Sequence, residues 1–166
     1  MPGSLIYFSL MKKLSLWIIF AIVLDQLTKL LIYRNFAVGE SIPVISGLFN
    51  LTYVRNIGAA WGILAGWRIA LVALAVVMAF LLIRYRAKVF PANLLGDSSF
   101  VLLIAGIIGN AIDRARLGYV VDFLDFYTGN SHFPSFNVAD SCICVGVVLY
   151  MIINIISARE TEKEAK

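Results

Sequence analysis

The chain has 166 residues, 61% apolar and 14% charged, with a mean hydropathy of +0.88. Soluble domains run at roughly 45–50% apolar and about 25% charged, so a water-soluble domain does not fit; neither does disorder, whose mark is low hydrophobicity. The net charge of +4 comes from 14 basic and 10 acidic residues, and no basic run forms a nucleic-acid patch, so nucleic acid is not expected as a partner.

Measured at ~20 residues per crossing of bilayer hydrocarbon, the chain reads as one integral membrane domain, residues 1–166, with four spans. The first, 14–33, follows Met11, Lys12 and Lys13. That start resembles a signal peptide, but the apolar stretch is too long and lacks a small-residue cleavage site, so the span is expected to be retained. Residues 1–10 read as an extension without a function. Within the span Asp25 and Lys29 stand four apart, on one helix face, with Thr28 beside them. Alone, they would be a structural ion pair.

An outer, β-rich loop over 34–66 follows. Turn residues Pro43, Gly47 and Asn50 punctuate alternating apolar and β-branched positions, the pattern of short strands. Phe49, Tyr53, Trp61 and Trp67 suggest a small sheet at headgroup level. The second span is 67–83 and the third 98–112. In the third, Gly106, Gly109, Asn110 and Asp113 recur at i, i+3, i+4 and i+7, with Arg114 adjoining. Small residues on such a stripe let another backbone approach.

A second outer loop carries Asp122, Asp125 and the single histidine, His132, which has no companion Cys or His for a metal site and reads as a loop residue. Asp140 then opens the fourth span, 138–157, just after Asn137, where unpaired amides favour a negative charge. Alone, it would be a helix cap. Cys142 and Cys144 suit neither a disulfide framework nor a metal knuckle and read as buried small apolar groups.

Four crossings place both termini on one side. That side has Lys12, Lys13, Arg84, Arg86, Lys88, Arg159, Lys163 and Lys166; the other has Arg34, Arg55, Arg68, Arg114 and Arg116. The positive-inside rule puts the termini in the cytoplasm and both loops outside. A charge in the middle of a span costs roughly 2.5–3.5 kcal/mol. Asp25, Asp113 and Asp140 nevertheless converge with Asp122, Asp125 and Asn56 near the outer surface. Independent structural pairs need not share a level, so a polar pocket opening to the outer leaflet is expected.

Carboxylates without metal-ligand spacing or a cofactor loop favour hydrolysis by two aspartates sharing a proton, one activating water and one protonating the scissile carbonyl. Asp140 is one member; its mate comes from Asp122 or Asp125. A Ser–Lys hydrolase using Lys29, a proton-coupled transporter and a non-enzymatic assembly protein remain as alternatives. Substituting Asp122 or Asp140 by Asn separates them: a peptidase loses hydrolysis but stays folded, whereas a helix-locking role loses stability.

Five blocks carry a resemblance to a known family. They are Asp25-Gln26-Leu27-Thr28-Lys29; Arg55-Asn56-Ile57-Gly58-Ala59-Ala60-Trp61-Gly62; Gly109-Asn110-Ala111-Ile112-Asp113-Arg114; Val120-Val121-Asp122-Phe123; and Phe136-Asn137-Val138-Ala139-Asp140. In this order they resemble bacterial lipoprotein signal peptidase, the signal peptidase II family. Many relatives have two glycines where this chain has Ala105-Gly106. The resemblance implies an aspartic endopeptidase of the bacterial inner membrane that cuts diacylglyceryl-modified prolipoproteins just before the lipidated cysteine. It implies no cofactor, and a monomer in contact with membrane lipids is expected.

Carried over, the catalytic pair would be Asp122 and Asp140. Supporting residues would be Asp25, Lys29, Asn56, Gly58, Gly109, Asn110, Asp113, Arg114, Asn137 and Ala139, while Asp125 would be structural. The fold implied is a bundle of four transmembrane helices with a small extracytoplasmic sheet and a periplasmic lid. Trp61 and the loop from Tyr119 to Phe133 would cradle the substrate. Of two arginines at the end of the third span, Arg116 suits phosphate headgroups, whereas Arg114 is expected to pair with a carboxylate and orient the site.

Overall fold

The computed structural model describes residues 2–58 and 63–164, with side chains for 10–58 and 63–159. Trp61, expected in the substrate cradle, lies outside the described residues. Helix α1 runs over Pro2–Asn35 and is apolar enough to cross a membrane over Leu10–Asn35. Strands β1 (Ser41–Ile45) and β2 (Phe49–Asn56) follow, then helices α2 (Arg68–Arg84), α3 (Arg86–Val89) and α4 (Leu94–Leu117). Strands β3 (Val120–Thr128) and β4 (Ser131–His132) lead into α5 (Val138–Glu164).

Among the described residues three helices are long and apolar enough to span: α1, α4 and α5, the last over Val138–Arg159. Helix α2 has 17 residues, about 25 Å at 1.5 Å per residue, against ~30 Å of hydrocarbon. Helix α4 is longer than the 98–112 expected. Its Gly, Asp and Ser residues dilute the apolar signal at the start, yet Asn93 caps it by accepting the Gly96 amide at 2.9 Å. Gly118, at φ 87°, ends it in the left-handed conformation that glycine adopts without strain.

Helix α4 is the hub. It packs on α1, α2 and α5, and half of its apolar stretch is buried, against 17% for α1 and 11% for α5. The helices close around Leu14, Phe90, Phe100, Val101 and Ile104, near the start of α4. Arg86 is buried beside this core, ion-paired with Asp97, donating to the Phe90 carbonyl at 3.1 Å and lying over the Phe100 ring. On α5, Cys142 is half-buried and Cys144 exposed, correcting the expectation that both are buried. A chain read as crossing lipid has no need to bury a thiol in protein.

The sheet corrects a further expectation. Its order is β1-β2-β3-β4, all antiparallel. The stretch from 119 to 133, expected as a loop of the substrate's cradle and lid, contributes β3 and the β3–β4 hairpin, so Asp122, Asp125 and His132 all lie in strands. A one-residue bulge in β2 separates the pairs Leu51↔Leu124 and Val54↔Asp122. Tyr53, expected at headgroup level, is buried with Ile32, Val121 and Phe123 in a second core beneath the sheet and meets Tyr33 edge-on. Trp67 is exposed.

Candidate active site

Between the two cores lies a polar layer built on Lys29. Its ammonium reaches Asp25 Oδ2 at 2.9 Å, Asp113 Oδ2 at 3.3 Å and Asn110 Oδ1 at 3.0 Å, one acceptor for each N–H. Lys29, Asp25 and Asp113 are all nearly inaccessible, a burial that charges tolerate only when paired and bonded. The two carboxylates also reach outward, Asp25 through its other oxygen and Asp113 through the oxygen that meets Lys29. Asp25 Oδ1 accepts the Ala139 amide of α5 at 2.8 Å, and Asp113 Oδ2 accepts the Val121 amide of β3 at 3.1 Å. Each of these amides is next in sequence to one of the candidate catalytic aspartates.

Gln26 completes the layer. Its amide donates to Asp113 Oδ1 at 3.0 Å and lies 3.2 Å from both Asp25 Oδ2 and the Gly109 carbonyl. Sequence reasoning passed it over, although it sits inside the first matched block. The stripe of small residues works by proximity: a methyl at Gly109 would lie 2.6 Å from Asp25 Oδ2, and one at Gly106 would strike the Ala139 carbonyl. Thr28, also on α1, bonds to carbonyls of its own helix, those of Leu24 and Asp25.

Asn137 links the two candidate carboxylates. Its side-chain amide donates to Asp122 Oδ1 at 2.6 Å, and its Oδ1 accepts the Asp140 amide at 2.9 Å. Asp140 Oδ2 accepts the Asn137 backbone N–H at 3.3 Å in return, a reciprocal cap that fixes the first turn of α5. Asn110 donates to Asp140 Oδ1 at 2.7 Å and Asn56 to Asp122 Oδ2 at 3.0 Å. Burial, and then the charge of Asp140, push the Asp122 carboxyl up to about 7, only partly offset by the bonds from Asn56 and Asn137.

Arg114 differs from expectation. It donates to the Gly58 carbonyl at 2.7 Å, and no carboxylate lies within 4.0 Å of it among the described residues. Gly58 in turn donates its amide to Asn56 Oδ1 at 2.9 Å. The guanidinium thus braces the chain that presents Asn56, because a backbone carbonyl fills the position where a carboxylate was expected. Asp125 sits apart from this layer. Three residues from Asp122 in the same strand, it faces the other side of the sheet and bonds to Thr52 and His132.

The structure therefore gathers Asp122, Asp140, Asn56, Asn110 and Asn137 into one cluster, set on Asp25, Lys29 and Asp113, with Gly58, Gly109, Arg114 and Ala139 in supporting contacts. Among the described residues, no group of three or more His, Cys, Asp and Glu side chains is arranged to hold a metal ion. Two carboxyl groups, Asp122 buried and Asp140 half-buried, joined by one asparagine can share a proton, and such a pair offers an acid and a base at once.

The family described as signal peptidase (SPase) II matches residues 17–156. The lipoprotein signal peptidase of Bacillus pumilus is 44% identical over 144 residues, 86% of this chain and 92% of that protein. That of Geobacter sulfurreducens is 46% identical over 136 residues, 80% of this chain and 84% of that one. A structure described as a bacterial membrane enzyme, solved by the in meso method at 2.3 Å resolution, superposes with a TM-score of 0.82 at 36% identity, covering 92% of this chain and 93% of that one. A second, solved by the same method at 1.9 Å, gives 0.75 at 37%, covering 86% and 92%. Matched over most of its length in sequence and in fold, the chain belongs to the signal peptidase II family of membrane peptidases.

Proposed function

We propose that the protein removes signal peptides from diacylglyceryl-modified prolipoproteins, cutting just before the lipidated cysteine, with Asp122 and Asp140 as the catalytic pair. The observation that carries this reading is the Asn137 bridge, which ties a carboxylate of β3 to one at the start of α5. Three helices able to span, together with α2 as a fourth and shorter crossing, set this pair at the outer ends of the bundle. Exposed apolar side chains along α2, among them Ile69, Val76 and Phe80, suit lipid better than water. Both termini then face the cytoplasm of a bacterial inner membrane, and a single chain supplies every residue of the site.

The pair holds one proton at working pH. The ionised member takes a proton from water, whose oxygen attacks the scissile carbonyl carbon, while the protonated member gives its proton to the carbonyl oxygen. A neutral tetrahedral diol results. As the C–N bond breaks, the first carboxyl returns its proton to the leaving nitrogen and the second recovers one from the diol. Asn56, Asn110 and Asn137 donate one bond to each of the four carboxyl oxygens without taking part in proton exchange, and so fix the lone pair that each oxygen keeps for water, substrate or the shared proton. A lipidated substrate presents its bond at the headgroups, anchored by its acyl chains and signal helix, so the pair meets the bond at that depth.

The test is cleavage of a diacylglyceryl-modified prolipoprotein in detergent by the wild type, Asp122→Asn and Asp140→Asn, with an unlipidated control and a metal chelator. Wild-type cleavage of the lipidated form alone, lost in both variants and indifferent to chelation, is expected. Cleavage that survives either substitution, or that requires a metal, overturns the mechanism.

A further inference from the structure

Away from the carboxylate pair, a second line of polar side chains crosses all four strands of the sheet. Ser41 of β1 and Thr52 of β2 share a hydroxyl–hydroxyl bond of 2.8 Å. Thr52 Oγ1 lies 2.7 Å from Asp125 Oδ2 in β3, and Asp125 Oδ1 lies 2.8 Å from His132 Nδ1 in β4. The line has one polarity. An ionised carboxylate only accepts, so Thr52 donates its proton to Asp125 and receives that of Ser41, and His132 carries its hydrogen on Nδ1. Burial pushes the Asp125 carboxyl up, but the bonds from His132 and Thr52 outweigh it and hold the group below the usual carboxylate range.

Asp125 is buried while the His132 side chain is 51% exposed, so the histidine is the outer clasp of the line. Its ring also stacks on Tyr127, with centroids 5.1 Å apart. From His132 the chain runs back along β3 as a strap over 133–136. Phe136 accepts the Phe123 and Leu124 amides at 2.9 and 2.8 Å and donates to Leu124 O at 3.1 Å. The next residue is Asn137, which holds Asp122. One end of the strap is thus fixed by His132 and the other delivers the asparagine on which both carboxylates depend.

We propose that Asp125 and His132 are positioning residues for the carboxylate pair: their bond fixes the strap against β3, and the strap sets where Asn137 meets Asp122. This rests on the peptidase reading above. The groups facing His132 are Asp125 and Tyr127 of β3; those facing Asp122 are Asp140 of α5, Lys29 of α1 and Arg114 of α4. A loosened strap admits water to Asp122 and relieves the burial that holds its proton.

The test compares His132→Phe, which keeps a ring on Tyr127 but no donor, with His132→Asn, whose amide restores a donor near the Nδ1 position. Thr52→Val removes the second bond to Asp125. Two readouts are made on the full chain in detergent: cleavage of a diacylglyceryl-modified prolipoprotein across pH, and amide exchange of the β3 segment by mass spectrometry. In His132→Phe, kcat is expected to fall about tenfold with KM within about twofold. The pH midpoint of the pair should move at least about half a unit toward acid, and β3 exchange should quicken about tenfold. Thr52→Val moves these in the same direction, and His132→Asn restores them. Unchanged exchange in His132→Phe overturns the proposal, and so does faster exchange with an unmoved midpoint, the mark of a purely structural bond. A wild type that leaves the lipidated substrate intact overturns the peptidase reading instead, and the exchange data still decide whether the clamp exists.

Discussion

Asp25 and Ala139 stand 114 positions apart in the chain, yet a carboxylate oxygen of the first accepts the backbone amide of the second at 2.8 Å. Asp113 does the same for Val121. Lys29 sits between these two carboxylates and makes their closeness tolerable, so the depth of α5 and the start of β3 both depend on one buried cation. Removing it leaves two desolvated carboxylates facing each other. Lys29→Met is therefore expected to destabilise the protein by about 3–5 kcal/mol, the usual loss when one partner of a buried ion pair is deleted. A thermal melt in detergent measures it, with Arg116→Gln, exposed at the end of α4, as a variant whose melt should not move.

The Arg114–Gly58 bond makes a separate prediction. Since Arg114 braces the turn after β2 that carries Asn56, Arg114→Gln should leave the bundle folded but loosen a donor to Asp122. About a tenfold fall in kcat is expected, on the scale of a misplaced supporting group. Arg116→Gln should stay within about twofold of the wild type, because an exposed charge contributes little. Equal losses in the two variants would mean that Arg114 acts through the membrane surface rather than through Gly58.

Much of this was legible in the sequence, for identifiable reasons. Apolar stretches long enough to span stand out in any hydropathy reading, and the Asp25–Lys29 spacing fixes a helix face whatever surrounds it. Asp140 and Asn137 form a cap within three residues, so local pattern sufficed there too. Strand β3 was not legible. Its acidic residues recur at a spacing of three rather than two, and its partner β2 pairs Asn56 with Val120 across 64 positions, a contact that no local window contains. The role of Arg114 was hidden for the same reason, since its acceptor is a backbone carbonyl and carries no residue-type signature. Gln26 could have been found: it lies one residue from Asp25 inside a matched block.

Gly109 tests the close approach of α4 to its neighbours. A methyl group there would lie 2.6 Å from Asp25 Oδ2 and 3.2 Å from the Ala139 side chain, and both are held by bonds that cannot shift without disturbing Lys29. Gly109→Ala is expected to cost about 1–3 kcal/mol by overpacking and to depress cleavage further than its stability loss explains, because the displaced carboxylate is the one that holds Ala139. Measuring kcat well below the melting temperature separates the two effects. A variant that is less stable but fully active would show that α4 yields without moving Asp25.

The carboxyl of Asp122, raised from the ordinary range near 4 to about 7 by burial and by Asp140, links stability to pH in a definite direction. The folded protein binds this proton more tightly than the unfolded chain does. The stabilisation is therefore complete below pH ~4 and is lost as pH rises through about 7. Wild-type stability should fall across that window by on the order of 2–4 kcal/mol, whereas Asp122→Asn, which cannot ionise, should show a flatter profile. The inactive variant should thus melt higher than the wild type at pH 8, with the gap closing toward pH 4. Activity has its own dependence, because a pair that must share one proton fails when both members are ionised, so cleavage should decline on the alkaline side with a midpoint that belongs to the pair and not to one residue. Melting curves at several pH values, read beside the cleavage profile, check both halves. If Asp122→Asn and the wild type melt in parallel at every pH, the buried proton is not held at Asp122.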